Sequence, residues 1–306
     1  MEEAQKEARR SFRRLIRELD NFQDIVRYIR PEPGDLPALE GVDVYGESMP
    51  MGGVLGGDHI VYVDFKKRFD LDSRIRKAEE AGQETLARNL RDCYRKAGIG
   101  VVDVSGHQVT DALLAAMLHQ AFLLGAIYEL DTIGDISTRL FEHINTRFYR
   151  SSSVSKFLTM IYGEITEDGT FLFISAAHPM PVVFSRAYDQ IVEINPDLLR
   201  SFPPIGMLPS YEDVDRNASS SILGYKEKYK VNKITLMGSG DILLLYTDGL
   251  SDHTRGDEAY FPEQLEEVLR RSKDGTARQI FKAIREDMWR FAKPEDDVSY
   301  VVIKKT

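Results

Sequence analysis

The chain has 306 residues, 42% hydrophobic and 29% charged, and a formal net charge of −9. This composition belongs to a folded chain with room for one large domain or two small ones, and it excludes an intrinsically disordered protein. The acidic balance disfavours binding to a nucleic-acid backbone, so work on phosphate needs positive charge supplied locally, for which a metal ion is the obvious source.

In chain order, "MEEAQKEARRSF" is charged and lacks the apolar core of a signal peptide. Phe12, Leu15, Leu19, Phe22, Val26 and Ile29 alternate at spacings of three and four, which predicts a helix with one apolar stripe. That stripe fits packing on the chain's own domain as well as pairing with a second copy in a homodimer. "RPEPGDLPALEG" ends the helix with three prolines. Residues 1–34 are therefore expected to form a helix and linker, and 35–306 the main domain.

Strand patterns follow in "VDVYGESMP" and "HIVYVDF". Residues 72–97 are highly charged, with Leu86, Leu90 and Tyr94 at helical spacing, and predict an exposed amphipathic helix inserted between strands. The single cysteine, Cys93, lies in this stretch. It rules out an intrachain disulfide and a multi-cysteine zinc site, and it reads as a small semi-buried apolar side chain. "GIGVVDVSG" is a short buried strand. Helices are expected over 108–129 and 135–149. The first contains the most apolar run, Ala112 to Tyr128, slightly short for a bilayer and carrying His119 and Gln120. It reads as the central helix of a core, with no membrane insertion and the cytoplasm as the expected compartment.

"FLTMIYGEI", "GTFLFISA", "MPVVFS" and "QIVEI" are strands, the first two joined by an Asp-Gly hairpin turn. A polar, proline-containing excursion covers 203–232. "DILLLYTDG" is a central strand, 261–271 and 276–292 are helices, and "DDVSYVVI" is the last strand. Hairpins and paired helices without regular βα alternation indicate an α+β fold with antiparallel sheets.

Four turns place aspartate beside an apolar strand: "GGD" (Asp58), "VVDVSGH" (Asp103), "YTDGLSD" (Asp248) and "EDDVSYVV" (Asp296 and Asp297). Singly, each is an ordinary Asx turn or solvated loop. Jointly, the strands can bring four carboxylates to one sheet edge. Two unit charges about 4 Å apart repel by about 4 kcal/mol at an effective dielectric near 20, so such a cluster needs cations. Its hard oxygen donors would specify Mg²⁺ or Mn²⁺.

The ordered set "GGDHIVYVDF", "GIGVVDVSGHQVTDALLAAM", "FLTMIYGEI", "ISAAHPMPVVF", "PPIGM", "GSGDILLLYTDGLSD" and "DDVSYVVI" resembles the metal-dependent PPM-type serine/threonine phosphatases, in particular their bacterial SpoIIE/RsbU branch. It runs from about Leu36 to the C-terminus. The resemblance implies two packed antiparallel β-sheets flanked by helices, an α-β-β-α sandwich, with two Mn²⁺ or Mg²⁺ ions at one edge. On that pattern Asp103 bridges the ions, Asp58 and the Val104 carbonyl serve one, and Asp248 and Asp296 serve the other, while Asp297 points elsewhere. A water activated by the ions would attack phosphoserine or phosphothreonine. The implied partner is a phosphorylated regulatory protein, such as an anti-sigma-factor antagonist of the STAS type.

The chain departs from the family pattern at Gln108 and Ala177, both glycine positions in the usual motifs. His107 is a candidate to protonate the leaving serine oxygen, and equally a hydrogen-bonded turn residue. Asp111 is expected as a helix N-cap, His178 as structural and His253 as solvated. Two rivals share these motifs: a degenerate domain that signals by binding, and a hydrolase of small phosphates.

Overall fold

A computed structural model of the chain describes residues 2–27, 36–51, 56–106, 109–151, 156–212, 221–236 and 238–306. Two five-stranded sheets form its centre. One has the order β1 (Val42–Met49), β12 (Val298–Lys305), β9 (Ile242–Tyr246), β6 (Val182–Ser185), β7 (Gln190–Val192). The other has the order β2 (His59–Asp64), β3 (Lys96–Val104), β4 (Leu158–Thr166), β5 (Thr170–Ala176), β8 (Asn232–Thr235). Every pairing within them is antiparallel.

The period-two alternation of strands divides the core into three layers. Ile60, Tyr62, Ile99, Val101, Leu243, Leu245, Val301 and Ile303 fill the space between the sheets. Val61, Val63, Val102 and Val104 face outward onto α5 (Val109–Thr132) and α6 (Thr138–Ser151) through Leu118, Phe122, Leu140 and Phe141. Leu244, Tyr246, Tyr300 and Val302 face α8 (Glu263–Ser272) and α9 (Ala277–Phe291). Because β9 is covered on both sides, "ILLLY" needs no polar alternation and all five residues are buried. The result is the expected helix–sheet–sheet–helix sandwich.

The charged segment after β2 differs from expectation. It holds a four-residue turn of helix, α2 (Phe65–Arg68), and then a hairpin of two helices, α3 (Leu71–Glu80) and α4 (Glu84–Asp92). Gly82, at φ +68°, breaks the segment expected as one helix into two. The hairpin buries Leu71, Ala78, Leu86, Ala87 and Leu90 in the layer beneath α5 and α6, so it is packed on one side and not a free excursion. Cys93 follows α4 fully buried, its thiol 3.4 Å from the Gly134 carbonyl and its pKa pushed up to about 12 by burial.

The helix α5 also departs from expectation. It is long and apolar enough to cross a bilayer by composition, but it lies in an outer layer. Ala112, Ala115, Leu118 and Phe122 pack inward, while Leu113, Met117, Leu124 and Tyr128 stay exposed. The N-terminal helix α1 (Glu2–Arg27) touches it, with Phe12 and Ile16 exposed. The remaining stripe side chains, Leu15, Leu19, Phe22, Val26 and Ile29, lie outside the described residues, as does the 34/35 boundary.

Between 199 and β8 the chain makes an excursion without regular helix or strand among its described residues. It is fastened to α6 by the buried Lys226, whose Nζ donates to both Glu142 oxygens at 3.1 and 3.0 Å. The Tyr229 N–H donates to Glu142 Oε1 at 2.6 Å, and the Ser210 hydroxyl bonds the other oxygen. Four bonds to one carboxylate offset the cost of taking this ion pair out of water.

Candidate active site

The start of β2, the end of β3, the end of β9 and the start of β12 lie at one edge of the sandwich, because His59 pairs with Val102 and Tyr300 with Tyr246. The alternation that buries Ile99 and Val101 between the sheets carries on to Asp103, and that of Leu243 and Leu245 carries on to Thr247. Inter-sheet positions thus change from apolar to polar at this edge.

Asp58 is 7% exposed and accepts a 2.7 Å hydrogen bond from the Thr247 hydroxyl, which itself receives the Ser299 N–H at 3.0 Å. Thr247 and Ser299 are completely buried, so one hydroxyl ties the two sheets together beneath Asp58. Gly57 runs so close to the turn after β3 that a Cβ there would stand 2.8 Å from the Val104 carbonyl oxygen. The Gly-Gly-Asp loop that carries Asp58 is thereby held against that carbonyl. Gly249 is pressed against the Asp297 carbonyl, where a side chain would collide with backbone, so the Thr-Asp-Gly turn and the Asp-Asp turn also meet.

The carboxyl groups feel one another. Burial, then the charges of Asp248, Asp296 and Asp297, push the Asp103 pKa up to about 7. Asp58 is raised by its own burial and then by Asp103. Asp248 is raised by burial, then by Asp296 and Asp252. Asp248 and Asp296 are exposed and line a cavity of about 300 Å³ with Gly249, Asp252, His253, Thr254 and Glu295. Among the described residues, no three His, Cys, Asp or Glu side chains close into a metal-holding group. Among the described residues the carboxylates of this edge form a shared negative field of hard oxygen donors, and His253, which also lines the cavity, is turned to the Met288 carbonyl; in chemistry the edge fits a hard divalent cation.

Adjacent Asp296 and Asp297 have different surroundings. Asp297 is 4% exposed, and its two oxygens accept the Met51 N–H at 2.7 Å and the Gly57 N–H at 2.8 Å. It clamps the Gly-Gly-Asp loop that carries Asp58. Asp296 accepts only the Asp297 N–H, at 2.8 Å, and is otherwise open to the cavity.

Several expectations change. Asp111 is not the N-cap of α5, which begins at Val109; it sits completely buried in the first turn and pairs with Lys156 at 2.6 Å. Lys156 also donates to the Ser105 carbonyl at 3.0 Å, so it fixes the turn after Asp103 and Val104. Nothing in "SSSVSKF" signals this pairing across 45 residues. His253 is buried, not solvated: Nε2 lies 3.1 Å from the Met288 carbonyl at the far end of α9, and the ring meets Tyr260 edge-on. His107 and Gln108 lie outside the described residues.

His178 is structural as expected. Burial holds its pKa down to about 3, and Nδ1 is 2.9 Å from the hydroxyl of Thr159, the residue directly opposite Asp103 in the β3–β4 register. Ala177 before it has φ +52°, a left-handed conformation that suits the glycine of the usual motif better than the alanine found here. Such a conformation costs an L-residue about 1–2 kcal/mol. Ala177→Gly is therefore expected to raise stability by about 1 kcal/mol, read as a higher urea midpoint at unchanged slope.

A helix-flanked double sheet with acidic turns gathered at one edge is the architecture of PP2C-type phosphatase domains. The chain belongs to the SpoIIE family: the family model, Stage II sporulation protein E, matches residues 94–306. That span contains Asp103, Val104, Asp248 and Asp296 but not Asp58. Over 158 residues, 51% of this chain, it is 29% identical to the phosphoserine phosphatase RsbP of Bacillus subtilis (strain 168). The match covers 34% of RsbP, so the chain spans about a third of that curated relative's length. Among solved structures, the SiaA-PP2C domain of Pseudomonas aeruginosa superposes with a TM-score of 0.63 at 16% identity, over 96% of this chain and 98% of the domain. The RsbU and RsbW domains of Rv1364c from Mycobacterium tuberculosis give 0.59 at 20% identity, over 88% and 61%. At these identities the structural likeness is one of fold.

Proposed function

We propose that this chain is a Mn²⁺- or Mg²⁺-dependent protein serine/threonine phosphatase, acting in the cytoplasm on a phosphorylated regulatory protein. Asp58, Asp103, the Val104 carbonyl, Asp248 and Asp296 would hold two ions. The observation that carries this reading is the edge itself: Asp103, its pKa pushed up to about 7, is placed where Asp248, Asp296 and Asp297 all act on it. An anionic site of this kind repels a phosphate monoester unless cations intervene, which couples substrate binding to metal loading. Family membership and the name of the RsbP relative support the same activity.

When bound, the ions supply Lewis acidity to a phosphoryl oxygen and acidify a nearby water. The chain's own residues do the rest. Thr247 holds Asp58 in one orientation through its hydroxyl, Asp297 fixes the loop that presents Asp58, and Lys156 fixes the turn that presents Val104. Asp248 and Asp296 line the open cavity, by which a phosphorylated side chain would enter.

With millimolar Mn²⁺, the protein should hydrolyse a phosphoserine peptide, and Asp248→Asn should not. Equal rates for the two proteins would refute the assignment. A STAS-type anti-sigma-factor antagonist is the proposed physiological substrate, on the strength of the family branch; failure to dephosphorylate any purified STAS phosphoprotein while turning over the peptide would remove that part alone.

A further inference from the structure

Helix α9 buries Ala277, Ile280, Phe281, Ile284 and Met288 and turns another face outward. Along that face Arg278, Lys282, Arg285 and Trp289 recur at spacings of four, three and four, which align side chains in one stripe. Lys293, four residues further on, continues the line just past the helix end. Trp289, the single tryptophan of the chain, is 45% exposed.

The stripe runs toward the acidic edge. Next to Trp289, the Met288 carbonyl lies 3.1 Å from Nε2 of His253, which lines the cavity of that edge. Lys293 and Pro294 lead directly into Glu295 and Asp296 of the same cavity. Strand β1, which borders the stripe through Tyr45 and Glu47, also ends there, since the Ser48 hydroxyl donates to the Asp58 carbonyl at 3.4 Å.

The positive charge of the stripe is available. Lys282 and Lys293 are exposed and have no hydrogen bond or ion pair among the described residues. Arg278 lies over the Tyr45 ring, 5.4 Å from its centroid, an arrangement that leaves its charge without a carboxylate. Arg285 is 3.8 Å from Glu47, in a half-exposed pair that water largely screens. Of the two carboxylates on α9, Asp287 faces Arg271 and Arg290 on the far flank, and Glu286 borders the line.

In a chain of net charge −9, a line of cations beside an exposed tryptophan is a local exception. Tryptophan and arginine are the side chains that most often anchor protein interfaces, and the charge selects an anionic partner. From Arg278 to Trp289 the helix rises about 16 Å, the span of about five extended residues. We propose that this stripe docks an acidic segment of the phosphoprotein substrate, adjoining the phosphorylated residue, while the phosphoryl group lies at the acidic edge. The proposal rests on the phosphatase reading above and adds to it a preference for acidic sequence beside the phosphoserine.

The test gives the full chain, with Mn²⁺ at low salt, a phosphoserine peptide flanked by glutamates, its glutamine counterpart, and para-nitrophenyl phosphate. The glutamate peptide should show a KM lower by roughly tenfold, at similar kcat. Trp289→Ala, and separately Lys282→Glu with Lys293→Gln, should raise that KM by roughly tenfold and leave aryl phosphate turnover unchanged. In EDTA, without turnover, the unphosphorylated glutamate peptide should saturably change Trp289 fluorescence, and Lys282→Glu with Lys293→Gln should weaken that binding. Equal KM values for the two peptides, or variants that keep the preference, overturn the proposal. So does a dimer seen by light scattering that Trp289→Ala breaks, because a second copy would then cover the stripe. Failure to hydrolyse any of the three phosphates refutes the phosphatase reading instead, and the fluorescence titration still decides whether the stripe binds acidic sequence.

Discussion

Asp103→Asn is expected to raise the melting temperature of the metal-free protein at pH 8 and, in the same sample, to remove its Mn²⁺-dependent phosphatase activity. The two effects share one cause. Burial, then the negative charges of Asp248, Asp296 and Asp297, push the Asp103 pKa up to about 7, against about 3.9 for an aspartate in an unfolded chain. The folded state therefore binds a proton more tightly than the unfolded state does, and stability falls as pH rises wherever that difference holds. The loss begins near pH 4, is complete above pH 7, and reaches a ceiling of about 4 kcal/mol at 1.36 kcal/mol per unit. Part of the repulsion is relieved when a neighbouring carboxyl takes the proton, so the measured figure should fall below that ceiling. The amide of the Asp103→Asn variant carries no charge at any of these pH values, so this slope should be missing from it. Mn²⁺ should reverse the ranking, since a cation stabilises the ionised aspartate and has less to hold in the variant. Turnover should fall by two orders of magnitude or more, beyond the ten- to hundredfold usual for losing a mere supporting contact at a metal site. Melting curves from pH 4 to 8, with EDTA and with Mn²⁺, read the stability effects. A variant no more stable than the parent at pH 8 in EDTA would show that the charges at this edge do not act on one another.

Much of this edge was legible in the sequence because strand chemistry is local. "DILLLYTDG" announces a doubly covered strand that ends in an acidic turn, and β9 is buried at all five positions before Asp248. The four aspartates could be named because each follows or precedes such a run. Their partners were not legible, since partners come from other strands. Thr247 looks like turn filler until Asp58, 189 residues away, is found on its hydroxyl. Lys156 and Asp111 belong to loop and helix signals that make no reference to one another. The "AGQE" that splits the inserted helix is readable, for Gly82 is a helix-ending glycine; the apolar spacing of Leu86, Leu90 and Tyr94 lies wholly beyond it and says nothing about a helix continuous across it. His253 was misplaced for a tertiary reason: the Met288 carbonyl that covers it belongs to α9.

The sharpest separation of roles should come from two neighbours that sequence alone treats almost alike. Asp297→Ala is expected to cost about 2–4 kcal/mol of stability without metal. It leaves the buried Gly57 N–H and the part-buried Met51 N–H without their acceptor, and an unanswered buried donor costs about 1–3 kcal/mol. Asp296→Ala removes an exposed side chain that bonds only the next backbone amide, so stability should change by less than about 1 kcal/mol. Function should rank them in another way. Asp296→Ala takes a proposed ligand from the cavity mouth, so it should demand far more Mn²⁺ for half-maximal rate while unfolding at the parental urea concentration. Asp297→Ala should lose rate because the Gly-Gly-Asp loop no longer holds Asp58 in place, a defect that added Mn²⁺ does not repair. Paired urea melts and Mn²⁺ titrations of the two variants decide it. If Asp297→Ala is the one rescued by excess metal, or Asp296→Ala the one that unfolds early, the assignment of Asp296 to the ion and Asp297 to the loop must be exchanged.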